Sequence, residues 1–149
     1  MIKEKIHMNV RRKERYKRYN EYYKWYHKDK RCYYCGDIAT TKDHVPSLYY
    51  LDGVGLENLT AKPVLVSCCS ECNTMLGKDS STLELNVKFL YKKIQKKYKK
   101  ILESSVWEED ELEEIDEGYL KDYIITHSNV AHYINSKLEY MEDLHYDWV

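Results

Sequence analysis

Proline and glycine are scarce, two and five in 149 residues. An all-β fold needs many tight turns, so this scarcity argues for long helices instead. No apolar run approaches the roughly 20 residues a bilayer-spanning helix requires, so no membrane span is expected. The opening Met1-Ile2-Lys3-Glu4-Lys5 is charged from its third residue, unlike a secretory leader, and a cytoplasmic protein is the expectation. Phenylalanine occurs once, whereas tyrosine occurs sixteen times. Tyrosine packs its ring while offering its hydroxyl to water or phosphate. The excess of Tyr and Lys also suits an AT-rich coding sequence.

Net charge is nearly absent at −1, yet the charge is segregated. Residues 1–31 carry twelve Lys/Arg against four Asp/Glu, residues 88–100 carry seven Lys and no acid, and residues 103–149 carry fourteen acids and two Lys. One basic and one acidic side are expected. At this length the chain holds one domain, or a small core with appended helices.

Five cysteines without an export signal point away from disulfides, and their spacing decides the matter. Cys32-Tyr33-Tyr34-Cys35 and Cys69-Ser70-Glu71-Cys72 are two C-x-x-C pairs. Two such pairs in a reducing compartment predict a four-thiolate Zn²⁺ site of structural type, with no coordination position left for catalysis. Cys68 is expected as a small buried residue beside it.

Residues 3–30 lack Pro and Gly and read as one helix, with Tyr16, Tyr19, Tyr23 and Tyr26 on a shared face. Residues 31–40 form a knuckle in which Gly36 permits the turn. Residues 41–66 have strand and loop character, with the run Thr40–Val45 β-prone up to Pro46 and Val64–Val66 a short apolar strand. Residues 70–77 predict a short helix ending at Gly77. Asp79, Ser80, Ser81 and Thr82 offer caps for a long helix reaching about Ser104, with Leu83, Val87, Leu90, Ile94, Tyr98 and Ile101 on one stripe. The acidic run after Trp107 suits a helix start, and a last helix or two is expected over 118–145. The segmentation is a basic N-terminal helix (1–31), a zinc-bound core (32–80) and a helical C-terminal region (81–149).

Asp43-His44 lies between the cysteine pairs, and Asn73 follows the last cysteine at a helix start. The run Cys32-x-x-Cys35, Asp43-His44-Val45-Pro46, Asn58, Cys69-x-x-Cys72-Asn73 resembles the HNH, or ββα-metal, nucleases, especially the zinc-bearing branch that includes phage endonuclease VII. The motif covers residues 32–77. The resemblance implies an α+β, mostly α fold, with a zinc-stapled ββα-metal core flanked by long helices. It implies a DNA endonuclease with His44 as general base, Asp43 and Asn73 holding a catalytic Mg²⁺ or Mn²⁺, and Asn58 fixing the loop that aims the imidazole. Partners would be DNA, through phosphate contacts, and a second copy in a possible homodimer. The setting would be a bacterial or phage-infected cytoplasm. The chemistry suits these residue types: a neutral imidazole can deprotonate water near pH 7, and oxygen donors suit a hard cation. The alternative is a non-catalytic zinc-knuckle module that binds nucleic acid or protein. It explains cysteines and lysines equally well but does not require Asp43, His44 or Asn73. His7, His27, His127, His132 and His145 have no partner pattern.

Overall fold

The computed structural model describes residues 2–103 and 107–149, with side chains from Val10 onward. Helix α1 spans Ile2–Asn20. It ends in a tight turn, where the amides of Glu21, Tyr22 and Tyr23 donate to the carbonyls of Arg18, Tyr19 and Asn20. The chain then extends as strand β1, Lys24–His27. The single helix expected over 3–30 is therefore corrected. No Gly or Pro stops it. Instead the aromatic run Trp25-Tyr26-His27 is drawn into a sheet, a tertiary pairing that overrides local propensity. The tyrosine stripe divides accordingly. Tyr16 and Tyr19 are half-buried on α1, Tyr23 is buried beyond its end, and Tyr26 is exposed on β1.

Strand β2, Thr41–Val45, and strand β3, Val64–Cys68, complete a sheet of order β1-β3-β2. β1 pairs with β3 in parallel and β2 pairs with β3 antiparallel. Between β2 and β3 lie helix α2, Leu48–Val54, and a 3-10 turn, Leu56–Asn58. Ser47 caps α2 by accepting from the Tyr50 amide at 3.0 Å. Helix α3, Ser70–Leu76, follows β3 directly and stops at Gly77, whose φ of 51° falls in the region glycine favours. Antiparallel β2 and β3 followed by α3 form the ββα succession.

Tyr23, Leu51 and Leu65 form an apolar cluster, with Tyr19, Leu48, Leu56 and Leu59 packed against it. Each buried side chain of this size contributes about 1.5–3 kcal/mol relative to exposure. Arg15 fastens α1 to α2 through two hydrogen bonds to Asp52, at 2.6 and 3.1 Å.

The chain divides between Asn86 and Val87 into two compact units. Helix α4, Leu83–Lys97, starts where Thr82 Oγ1 accepts from the Leu85 amide. Val87, Leu90 and Ile94 are its buried stripe, as the sequence pattern requires, while Lys88, Lys92, Lys93, Lys96 and Lys97 are exposed. The helix breaks at Tyr98 before a short α5, Lys99–Leu102; the expected end near Ser104 lies outside the described residues. Helix α6, Glu109–Glu113, and the long α7, Tyr119–Leu144, follow. Ala131, Ile134, Leu138 and Met141 are the buried face of α7, and Tyr91 of α4 donates a hydrogen bond to Glu142 of α7. The fold is α+β and mostly α, as expected. Among the described residues no helix is long and apolar enough to cross a membrane.

Candidate metal centre and adjoining cavity

The two cysteine pairs converge. Cys32 and Cys35 sit on a knuckle closed by the Gly36 amide donating to the Cys32 carbonyl at 3.0 Å, with Gly36 at φ 78°. Conformations with positive φ are costly for other residues, which accounts for glycine here. The knuckle is pinned to the end of β3 through the Tyr33 amide on the Ser67 carbonyl and the Thr40 amide on the Cys68 carbonyl. Cys69 is the N-cap of α3, and its sulfur accepts from the Cys72 amide.

All four residues are buried and their sulfur atoms lie within 4.8 Å of one another, with Cys35 and Cys69 at 3.6 Å. Zinc–sulfur bonds of about 2.3 Å in a tetrahedron set sulfurs roughly 3.8 Å apart, so the donor set and its spacing fit a structural metal such as zinc. Cys68 is fully buried beside this cluster.

Asp43 and His44 are neighbours on β2 and send their side chains in opposite directions. Asp43 is buried. Its Oδ2 accepts from the Tyr34 hydroxyl at 2.6 Å and the Ser80 hydroxyl at 3.1 Å. Asn86 joins both hydroxyls, its Nδ2 donating to Tyr34 at 3.0 Å and to Ser80 at 2.9 Å. Burial pushes the Asp43 carboxyl up to about 6, against the opposing pull of its two hydroxyl donors. Burial also raises the Tyr34 phenol, with the Asp43 charge adding to it.

The His44 ring is half-buried and meets the Tyr23 ring edge-on, with centroids 4.8 Å apart. Tyr23 is held in turn by its hydroxyl donating to the Pro46 carbonyl. His44 Nε2 lies 2.6 Å from Asn20 Oδ1 at the end of α1. An amide oxygen only accepts, so Nε2 carries the ring proton and Nδ1 keeps its lone pair. Burial, and secondarily the charge of Lys42, lowers the His44 pKa, which favours the neutral ring near pH 7.

Asn73 stands in the first turn of α3. It lines the same open cavity, of about 560 Å³, as Asp43 and His44, with Lys42, Lys78 and Tyr16 also on its walls. The structure thus brings three of the four sequence-selected residues to one place. Asn58 is not among them. It is exposed on the 3-10 turn, where its side-chain amide donates to the Val54 carbonyl at 2.7 Å and finishes α2. The direct contact with the imidazole is made by Asn20 of α1, which sequence reasoning did not single out. Tyr34, Ser80 and Asn86, which position Asp43, also escaped sequence reasoning. Ser80 stood out only as one of several cap candidates, and Tyr34 only as a filler of the first C-x-x-C.

No family model, curated protein or solved structure matches the chain.

Proposed function

We propose that the protein is a metal-dependent endonuclease of the HNH type, hydrolysing DNA phosphodiesters with His44 as general base. The observation that carries this reading is the meeting of Asp43, His44 and Asn73 on one open cavity flanked by Lys42 and Lys78. The cysteine cluster would hold zinc in a closed shell, so its part is to brace the site rather than to react.

Asp43 and Asn73 offer oxygen donors that would hold a Mg²⁺ or Mn²⁺ ion. Oδ2 of Asp43 accepts from Tyr34 and Ser80, and the carboxylate also accepts from the His44 amide, so the ion would share an already hydrogen-bonded group. Such a cation, when bound, supplies positive charge to the phosphate and the departing 3′-oxygen. His44 Nδ1 takes a proton from the water that attacks phosphorus, and the ring becomes an imidazolium. Asn20 keeps the ring in the tautomer that leaves Nδ1 unprotonated. Lys42 and Lys78 draw the phosphate toward the cavity. The exposed lysines of α4, and the exposed Arg11, Arg12, Lys13, Lys17 and Arg18 of α1, would contact phosphates without reading sequence. The 3′-oxygen departs and takes a proton from solvent water, giving 5′-phosphate and 3′-hydroxyl ends, and the imidazolium returns its proton to solvent.

One observation favours a second reading, a non-catalytic zinc-knuckle module. Asp43 is buried and engaged by two hydroxyls, as a purely architectural carboxyl would be. Incubation of the zinc-loaded chain with plasmid DNA and Mg²⁺ or Mn²⁺ separates the two. Nicking by the wild type, with a loss of about 10²–10⁴-fold in His44→Ala, supports the nuclease. Cleavage that His44→Ala leaves intact removes His44 from its role, and no cleavage by the wild type under either ion favours the module.

A further inference from the structure

A second surface in the first unit has the makings of a ligand site. A cleft of about 420 Å³ is walled by the rings of Tyr22, Trp25 and Tyr26 beside Lys24, Lys62 and Pro63, and no acidic residue lines it. The rings are accessible: Tyr22 is 53%, Trp25 43% and Tyr26 62% exposed. A strand ordinarily alternates exposed and buried positions. Here Lys24, Trp25 and Tyr26 are all exposed in succession. β1 is an edge strand, and a register shift between Trp25 and His27 leaves Tyr26 without a partner in the ladder, its ring edge-on to Tyr33. Lys28 sits over the Trp25 ring, its nitrogen 5.2 Å from the centroid, adding a third cation.

Exposed aromatic rings are costly in water, and rings interleaved with lysines have a specific complement. Unpaired nucleobases stack on the rings while the linking phosphates meet the ammonium groups. A duplex hides its base faces and offers rings of this kind little. Register adds location. Trp25 pairs with Leu65, and Leu65 pairs with His44, so the three residues form one row across the sheet. Two strand spacings, about 10 Å, separate the backbones of Trp25 and His44, with the buried Leu65 and its packed neighbours between them, so a bound strand passes around that cluster.

We infer that the Tyr22–Trp25–Tyr26 face is a stacking platform for unpaired nucleotides flanking the bond presented to His44. This rests on the nuclease reading for its role but not for its binding. The platform directs the protein toward DNA with a single-stranded arm, such as a fork or flap, rather than toward continuous duplex.

The test measures anisotropy of a fluorescein-labelled twelve-residue oligothymidylate and of a labelled hairpin duplex, with the zinc-loaded full chain and no added Mg²⁺ or Mn²⁺. Trp25→Ala is expected to weaken oligothymidylate binding roughly 5- to 150-fold, the range one lost stacking contact supplies. Duplex affinity should stay within about twofold, and Trp25→Phe should restore binding. Tyr22→Ala, in the turn rather than the strand, should weaken the single strand alone and serves if Trp25→Ala fails to fold by circular dichroism. Wild-type affinity in both alanine variants, or equal losses on duplex and single strand, overturns the platform. So does a concentration-dependent dimer that Trp25→Ala abolishes while oligothymidylate binding stands, because the face would then belong to a second copy. A wild type that cuts no DNA yet binds oligothymidylate through Trp25 defeats the nuclease and keeps the platform. One that cuts DNA while ignoring Trp25 does the reverse.

Discussion

Replacing Asn20 by Asp puts a carboxylate where the amide oxygen now lies, 2.6 Å from His44 Nε2. The amide oxygen accepts a hydrogen bond from the neutral ring and carries no charge to favour the imidazolium. A carboxylate favours the imidazolium, so the pKa of His44 must rise. Two unit charges about 4 Å apart interact by about 4 kcal/mol at an effective dielectric of 20 and about 1 kcal/mol in bulk water. His44 is half-buried, so the effect lies between these limits, and a rise of about 1–1.5 pH units is expected. In the wild type burial and Lys42 hold the ring below its ordinary value of 6.5. The variant therefore titrates above the wild type by about that interval.

If His44 acts as a base, only its neutral form works. Cleavage by Asn20→Asp should fall by about tenfold or more relative to wild type on the acid side of the profile and recover as pH rises past the variant's own titration. Asn20→Ala should instead lower the rate at every pH by loosening the ring. Imidazole ¹⁵N NMR follows the same ring without any activity, reporting both its titration and which nitrogen carries the proton. A His44 midpoint that does not move in Asn20→Asp, or a proton found on Nδ1 in the wild type, refutes the reasoning.

Asp43→Asn should abolish cleavage while raising stability at neutral pH in the absence of divalent cations. A carboxyl raised from 3.8 to about 6 in the fold makes the native state bind the extra proton, so its contribution is favourable below pH 4 and is lost as pH rises through 6. Removing the charge recovers up to about 3 kcal/mol, read as a higher urea midpoint, and an unchanged midpoint refutes the buried-charge account. Zinc should be released one per chain on thiol modification, and Cys72→Ser should cost the sheet its cooperative melting, since such sites contribute about 10–16 kcal/mol of apparent binding energy. Melting that a chelator leaves untouched would count against a structural ion. Asn58→Ala should leave cleavage rates within about twofold, because its amide serves only an exposed bond to Val54. A hundredfold loss would return it to the site.

What the sequence disclosed, and what it hid, follows from the range of the forces involved. The cysteine pairs were legible because thiols two residues apart, followed by Gly36 or capping a helix, make a half-site from local chain geometry alone. Asn73 was legible because it directly follows Cys72, and Asp43-His44 because the pair lies between the two cysteine pairs in the order the resemblance requires. The stripe of Val87, Leu90 and Ile94 obeyed its own period. Strand β1 was hidden because Lys24–His27 becomes a strand only on meeting Val64–Val66, some forty residues away, while Lys and Tyr locally tolerate a helix. Asn20 was hidden for the same reason, since its link to His44 spans 24 residues and depends on where α1 stops. Asn58 does not line the cavity, because the segment between β2 and β3 folds into α2 and a 3-10 turn, where its amide holds the Val54 carbonyl within that connection.

Tyr34 stands between two of the sulfur donors and ends on the carboxylate beside His44. The cysteine clip and the Asp43 corner of the cavity are consequently one mechanical part. Any event that opens the first knuckle, such as oxidation of Cys32 and Cys35 to a disulfide or theft of their ion by a stronger chelator, withdraws a hydroxyl from Asp43. The charge balance at that carboxyl then changes before a single residue of the cavity has been altered. Thiol chemistry in the surrounding cell is thereby wired to a carboxyl that is not itself redox-active.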